Sequence, residues 1–362
     1  MFILAFTSAL LITVLLIPPL TFISTRFGLY DYPNARKVHA TPIPRIGGIA
    51  ITIAILIPIS ILLSITSATI GLILGLLCIF ILGVLDDAVS VNYRYKFLIQ
   101  ILAIGIVLLM GYVDISQSYY YQASIVYILP LLMIYLFFIL GVTNAINLAD
   151  GLDGLAGGAT LLSFSMIGLL AFESDNSEVL IIVLTILGSV FGFLRYNSHP
   201  AKIFMGDTGS LMLGFLLGIL SILICHSGDN AYVKTLPLLL VGLPVFDTLF
   251  VMMYRLSQGK SPFHADQNHF HHRLMKNGLK HQQAVLMIYL IQVVFVLLAY
   301  FLRYSTELGV VVSFAAICTA CIVISSIKWP VIFSITHLEY RSFLLVRILS
   351  SLINKYSVTI YA

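Results

Sequence analysis

Long uncharged apolar runs recur along this chain with short polar connections between them, and such a chain has few ways to fold. Backbone inside hydrocarbon must satisfy its own N–H and C=O groups, which leaves helices or closed barrels as spanning structures. A helix needs about 20 mostly apolar residues to cross a bilayer. Runs close to that length occur at 2–24, 46–64, 67–85, 97–112, 124–142, 157–173, 179–195, 210–226, 235–254, 283–302 and 308–326. Composition disposes of the other explanation, a large soluble core. Of the 362 residues 60% are apolar and 9% charged, whereas soluble domains carry about 25% charged residues. The expected fold is an all-α polytopic membrane protein with eleven transmembrane helices.

The basic residues set an orientation. Of the 19 lysines and arginines, all but Lys234 and Arg303 fall in one alternating set of loops and in the C-terminal tail. Cytoplasmic loops are the Lys/Arg-rich ones, so the N-terminus is expected outside and the C-terminus in the cytoplasm. Ten or twelve spans would spoil this partition. Residues 1–327 are read as the transmembrane domain. Residues 328–362, with Arg341, Arg347 and Lys355 spaced among apolar positions, are read as an amphipathic cytoplasmic tail. The first run lacks a basic leader and is followed by Arg26, which suits an uncleaved span. Cys78, Cys225, Cys318 and Cys321 lie in or beside apolar runs without metal-ligand company and read as small buried residues. Asp114, Glu173, Asp175 and Glu178, in the opposite loops, read as solvated loop charge.

Four cytoplasmic segments carry chemistry. Asp86 and Asp87 directly follow the third run, with Arg94 and Lys96 beyond them. Adjacent carboxylates at a helix end are either solvated or compensated by a cation such as Mg²⁺, which takes one or two carboxylates plus phosphate oxygens. Asn144, Asn147, Asp150 and Asp153 recur every third residue before Gly154, Gly157 and Gly158. On a helix they would form one polar stripe, a wet packing seam or a ligand face. In the segment Asn197 to Ser210, Asp207 is a helix cap competing with Thr208 and Ser210, or a third carboxylate with Lys202 as a phosphate contact. His269, His271, His272 and Arg273 suit zinc, phosphate oxygens or plain solvation, and zinc lacks a fixed fourth ligand here. Asp247, inside the ninth run, costs about 2.5–3.5 kcal/mol at membrane depth, so it faces a partner, for catalysis or for structure. Metal-type carboxylates, cations and glycines on one face are the parts phosphoryl transfer uses.

The segments PRIGG (Pro44 to Gly48), LDD (Leu85 to Asp87), NAINLADGLDGLAGG (Asn144 to Gly158), FMGDTGS (Phe204 to Ser210) and HFHH (His269 to His272) resemble, in order, those of the polyprenyl-phosphate N-acetylhexosamine-1-phosphate transferases of glycosyltransferase family 4. The resemblance runs at least through residues 26–282. It implies eleven spans and a site at the cytoplasmic face of the bacterial inner membrane. It also implies transfer of a HexNAc 1-phosphate from a UDP-sugar to undecaprenyl phosphate, with UMP released and Mg²⁺, or Mn²⁺ in its place, as cofactor. Asp86, Asp87 and Asp207 become the essential carboxylates and metal ligands, Asp207 foremost, with Asp87 preparing the lipid phosphate by positioning or proton removal. Asn147, Asp150 and Asp153 are implied for the nucleotide, and Asn144, on the same stripe, joins them as a substrate contact. Lys96, Asn197, His269 and His272 are implied near the phosphates and His271 in catalysis, beside Lys202 and Arg273 as the phosphate contacts read from the residues themselves. The expected partners are the UDP-N-acetylhexosamine, undecaprenyl phosphate and the lipid bilayer, with a homodimer as a further expectation and no nucleic acid.

Within the family, Ser261-Pro262-Phe263 and Asp266 before the histidines are similar to the branch that transfers GlcNAc 1-phosphate, whose products start O-antigen or teichoic acid. The chain departs from that branch's Pro-Asp-Arg, reading Ala265-Asp266-Gln267. The alternative is the branch acting on UDP-MurNAc-pentapeptide. A secondary transporter is the rival class, since intramembrane carboxylates and broken helices suit one. Here, however, the ionisable residues gather at one face rather than at the midplane.

Overall fold

A computed structural model describes residues 1–28, 30–32, 42–112, 125–226, 232–262 and 268–329. Most of the proposed tail therefore lies outside the described residues, as do Asp114 and the Ala265-Asp266-Gln267 segment. The described chain is almost entirely helical. Helix α1 (Phe2–Phe27) is followed by a short antiparallel pairing of β1 (Tyr30–Asp31) with β2 (Ile43–Pro44). Then come α2 (Gly47–Leu62), α3 (Ser67–Val89), α4 (Tyr93–Leu109), α5 (Ile125–Ala149), α6 (Leu155–Glu173), α7 (Ser177–Asn197) and α8 (Gly206–Leu223). The chain continues through α9 (Pro237–Leu240), α10 (Gly242–Ser257), α11 (Phe270–Lys276), α12 (His281–Leu302) and α13 (Glu307–Ser326).

Each apolar run coincides with helix. Among the described residues eight helices are long and apolar enough to cross a membrane, and the chain is a multi-pass, all-α membrane protein. The other three runs meet shorter helices: α2, α4, and the interrupted pair α9 and α10. Outward faces carry Ile3, Leu15, Ile61, Leu102, Phe137, Phe172, Phe301 and Val312, all more than half exposed. Apolar surface on that scale belongs against lipid rather than water.

Helix α8 is the axis of the bundle and packs against α2, α3, α5 and α6. Nearly every residue from Thr208 to Ile222 is buried. Apolar burial does not drive association inside lipid, so close backbone packing through small residues must. Gly214 lies so near Thr143 that an added Cβ would sit 2.8 Å from its Cα. At the α8 start, Gly209 meets Gly48 of α2 with room for neither to carry a side chain.

The ninth run departs from expectation, because its helix breaks at Val241 instead of running through. Pro237, Gly242 and Pro244 weaken the ladder there. In hydrocarbon the freed backbone groups must find partners, and the buried Gln292 of α12 supplies them. Its Oε1 accepts Leu243 N–H at 3.3 Å, and its Nε2 donates to Leu240 O at 3.2 Å and to Ser163 Oγ at 3.0 Å. A second departure is α11, a helix inside what reads from sequence as a long loop. At the far end of the bundle, Glu173 is not merely solvated. It pairs with Arg303 at 3.3 Å and accepts from Tyr300 at 2.8 Å. The four cysteines are free thiols.

Candidate active site

The site starts from the N-terminus of α8. First-turn N–H groups have no partner within their own helix, and the residue before α8, Met205, supplies no side-chain cap. Asp207 does not cap the helix, contrary to one sequence reading, because it already stands in the first turn. The cap comes from α3. Asp87 accepts Asp207 N–H at 2.8 Å on Oδ1, and Thr208 N–H at 2.9 Å and Thr208 Oγ1–H at 2.6 Å on Oδ2. Both Asp87 oxygens are thereby committed to placing Asp207.

The other two carboxylates converge. Asp86 Oδ1 accepts Val91 N–H at 2.8 Å, and its Oδ2 pairs with Lys96 Nζ. The same Nζ lies 3.5 Å from Asp207 Oδ2, and the two carboxyl groups are within hydrogen-bond reach of each other. Asn147 donates to Asp207 Oδ1 at 2.6 Å and to Ser210 Oγ at 2.9 Å. Hard oxygen donors gathered around one ammonium fit Mg²⁺, with Asp207 and Asp86 its candidate ligands.

A strap from the PRIGG segment closes this end. Phe204 N–H donates to Pro44 O at 2.8 Å, Gly47 N–H to Phe204 O at 2.9 Å, and Gly48 N–H to Met205 O at 2.8 Å. The strap carries Arg45, which pairs with Asp31 and whose charge reaches Asp150 and Asp207. Arg45 is absent from the sequence-derived site. Its signal was present in the motif, but the pairing that turns it inward is long-range.

The polar stripe of residues 144–153 is not one helix face. α5 ends at Ala149, and residues 150–154 form a turn in which Gly154 has φ 77°. Asn144 faces Gln100 of α4, donating to its Oε1 at 2.8 Å and to Leu140 O at 2.8 Å. Asp150 is pushed up to about 7 by burial and then by the charges of Asp207 and Asp87, against the pull of Arg45. Asp153 accepts from Ala201 N–H at 3.1 Å and lies 2.7 Å from His199 Nδ1. Asn197 is spent on backbone, accepting Gly154 N–H at 2.9 Å and donating to Ile203 O at 2.8 Å. Tyr289 donates to Gly154 O at 2.6 Å.

Helix α11 brings the histidines over this turn. His271 is buried against Gly151, which has no room for a Cβ beneath the ring. Burial holds its imidazole well below the usual histidine range, and His272, His269 and His281 add to that, so it is neutral at pH 7. Among the described residues His271 Nε2 has no hydrogen-bond partner. Arg273 lies over the Phe250 ring at 4.8 Å, and Lys202 is exposed. The histidines of 269–272 do not gather as a zinc set. Among the described residues the close His/carboxylate group is Asp153, His199 and His281, of which sequence reading singled out Asp153 alone.

Fold and site together define a membrane-embedded helical enzyme whose acidic centre, gathered around Lys96, lies at one end of the bundle. Residues 69–225 match the family described as glycosyl transferase family 4. The chain is 38% identical over 310 residues to a probable undecaprenyl-phosphate N-acetylglucosaminyl 1-phosphate transferase of Bacillus subtilis, covering 82% of this chain and 84% of that protein. It is 31% identical to a decaprenyl-phosphate N-acetylglucosaminephosphotransferase of Mycolicibacterium smegmatis, and 30% identical to the undecaprenyl-phosphate alpha-N-acetylglucosaminyl 1-phosphate transferase of Escherichia coli K12. Each of those two matches covers 74% of both chains. The chain belongs to glycosyl transferase family 4 and is a phosphotransferase, as the five sequence signatures imply.

Proposed function

We propose that the chain transfers N-acetylglucosamine 1-phosphate from UDP-GlcNAc to undecaprenyl phosphate at the cytoplasmic face of the bacterial inner membrane. The observation that carries this reading is the convergence of Asp86 and Asp207 on Lys96, held by the Asp87 cap on α8. In the reaction an oxygen of the lipid phosphate bonds to the sugar-linked phosphorus. The bond from that phosphorus to the UMP oxygen breaks, UMP leaves, and lipid-diphospho-GlcNAc remains. The product is suited to start a cell-surface glycan such as O-antigen or teichoic acid.

Asp207 and Asp86 would hold Mg²⁺, which supplies charge neutralisation at the diphosphate and the departing oxygen. Lys96 adds a fixed cation beside the same oxygens, so developing negative charge is met without reorganisation. Asp87 acts by positioning, since its oxygens are occupied by the α8 backbone and Thr208. The Asp150–Asp153 turn and the α11 histidines flank the sugar nucleotide, with Arg45, Lys202 and Arg273 as further cations on the same face. Eleven crossings follow if α2, α4 and the α9–α10 pair each span, with the N-terminus outside. Radiolabelled UDP-GlcNAc supplied with undecaprenyl phosphate and purified protein should give Mg²⁺-dependent label in the organic phase. Label that stays water-soluble, or appears only with UDP-MurNAc-pentapeptide, would refute this assignment.

A further inference from the structure

Asp247 is a carboxylate on α10, 6% exposed, in a part of the bundle where an unpartnered charge is costly. Its partners lie 22 and 23 residues further along the chain, at the start of α11. Oδ1 accepts Phe270 N–H at 2.7 Å, and Oδ2 lies 2.9 Å from His269 Nδ1. An ionised carboxylate can only accept, so Nδ1 carries the hydrogen and Nε2 is the ring atom left for other contacts. His269 is itself 6% exposed, and its ring lies within 12° of parallel to that of His271, with centroids 6.1 Å apart. His271 in turn rests on Gly151 of the acidic turn. Asp247 thus stands at the base of a stack that ends at the candidate site.

We propose that Asp247 is a positioning residue for phosphoryl transfer. Its two oxygens seat the first turn of α11 and lock His269 in the Nδ1–H tautomer, presenting His269 Nε2 and the adjacent His271 ring to the diphosphate of the sugar nucleotide. The inference rests on the function proposed above and adds a residue that touches neither substrate nor metal. A carboxylate that accepts from one ring nitrogen of a histidine sets which nitrogen is left available.

Asp247→Asn tests it while keeping the side chain's shape. With the amide oxygen retained on Phe270 N–H, the NH₂ faces His269 Nδ1 and favours the opposite tautomer, with hydrogen on Nε2. The expected result is a kcat lower by about 100-fold or more, on the pattern of Asp-to-Asn changes beside a working histidine. The donor KM should stay within about threefold. In ¹⁵N-histidine NMR of the detergent-solubilised protein, the His269 signal (assigned by its loss in His269→Gln) should move from Nδ1–H to Nε2–H. In a His269→Gln background, Asp247→Asn should cost less than about threefold more, because residues acting through one another are not additive. An unchanged tautomer, additive losses, or a change confined to KM would overturn the proposal. If the wild-type protein makes no lipid product from any UDP-HexNAc, the proposed function fails instead, and the NMR comparison still decides whether Asp247 governs His269.

Discussion

Asp87 and Asp207 stand side by side in the site but answer to different physics, and substitution separates them. Asp87 satisfies the first N–H groups of α8, and losing such a cap costs about 0.5–2 kcal/mol. Asp87→Asn should therefore lower the melting temperature in detergent as well as abolish turnover. Asp207→Asn removes a carboxylate from a crowded acidic cluster. It should abolish turnover with the melting temperature unchanged or raised, as should Asp86→Asn. Equal destabilisation by Asp87→Asn and Asp207→Asn would refute the division of roles. Asp150 gives a pH signature. Its carboxyl titrates near 3.8 unfolded and about 7 folded, so the stability it contributes is present below about pH 4 and lost as pH rises through about 7. Without divalent cations, Asp150→Asn should melt higher than wild type at about pH 8, with the gain shrinking steadily towards pH 4. On the proposed function His271→Ala removes a ring from beside developing phosphoryl charge and should lower kcat by about 100-fold. A change in KM alone would make the histidine loop a binding surface.

At the scale of elements, the α9–α10 break shows where sequence reading stops. Asp247 is the one charged residue in the run 235–254, and nothing in its hydrophobicity marks an interruption. Pro237, Gly242 and Pro244 hint at one, but the compensating partner, Gln292, lies about fifty residues away on α12. Gln292→Leu keeps the volume and leaves the break unsatisfied, at a cost of about 1–3 kcal/mol for a buried unpaired group. Thermal unfolding should show that loss, with a fall in activity because α10 carries Asp247. An unshifted melting curve would mean the backbone finds other partners. The same boundary runs through the site. Asp86, Asp87, Asp207 and the histidines are visible as motifs because their residue types are costly in an apolar chain. Asn144 and Asn197 look identical to ligands in sequence, yet the structure turns them to Gln100 and to backbone. Arg45, His199 and His281 become site residues only when the strap, the loop before α8 and the α12 start are brought together. Short-range spacing reports polarity, whereas long-range pairing decides which polar group faces the substrate.

At the scale of the whole molecule, the proposed chemistry depends on which face of the membrane the acidic centre meets. Glu173, Lys234, Arg303 and Glu307 meet at one end of the bundle, where Glu307 accepts from Lys234 and Thr235 N–H at 3.1 and 2.9 Å. Asp86, Lys96, Asp207 and the α11 histidines occupy the other, which is also the end rich in Lys and Arg. A soluble sugar nucleotide is made inside the cell and does not cross the bilayer unaided, so the proposed function requires the acidic end to face the cytoplasm. Cysteine labelling tests this in a variant lacking Cys78, Cys225, Cys318 and Cys321. Ser177→Cys and Ser305→Cys, both exposed at the far end, should react with an impermeant maleimide in intact cells. Ser90→Cys and Lys260→Cys, exposed at the acidic end, should react only after permeabilisation. Each variant must first be shown to retain transferase activity, so that labelling reports the native arrangement. The reverse pattern would place the carboxylates outside and rule out a cytoplasmic donor. A mixed pattern, with Ser177 and Ser305 on opposite sides, would mean that one of the intervening helices does not cross, and eleven spans would be the wrong number.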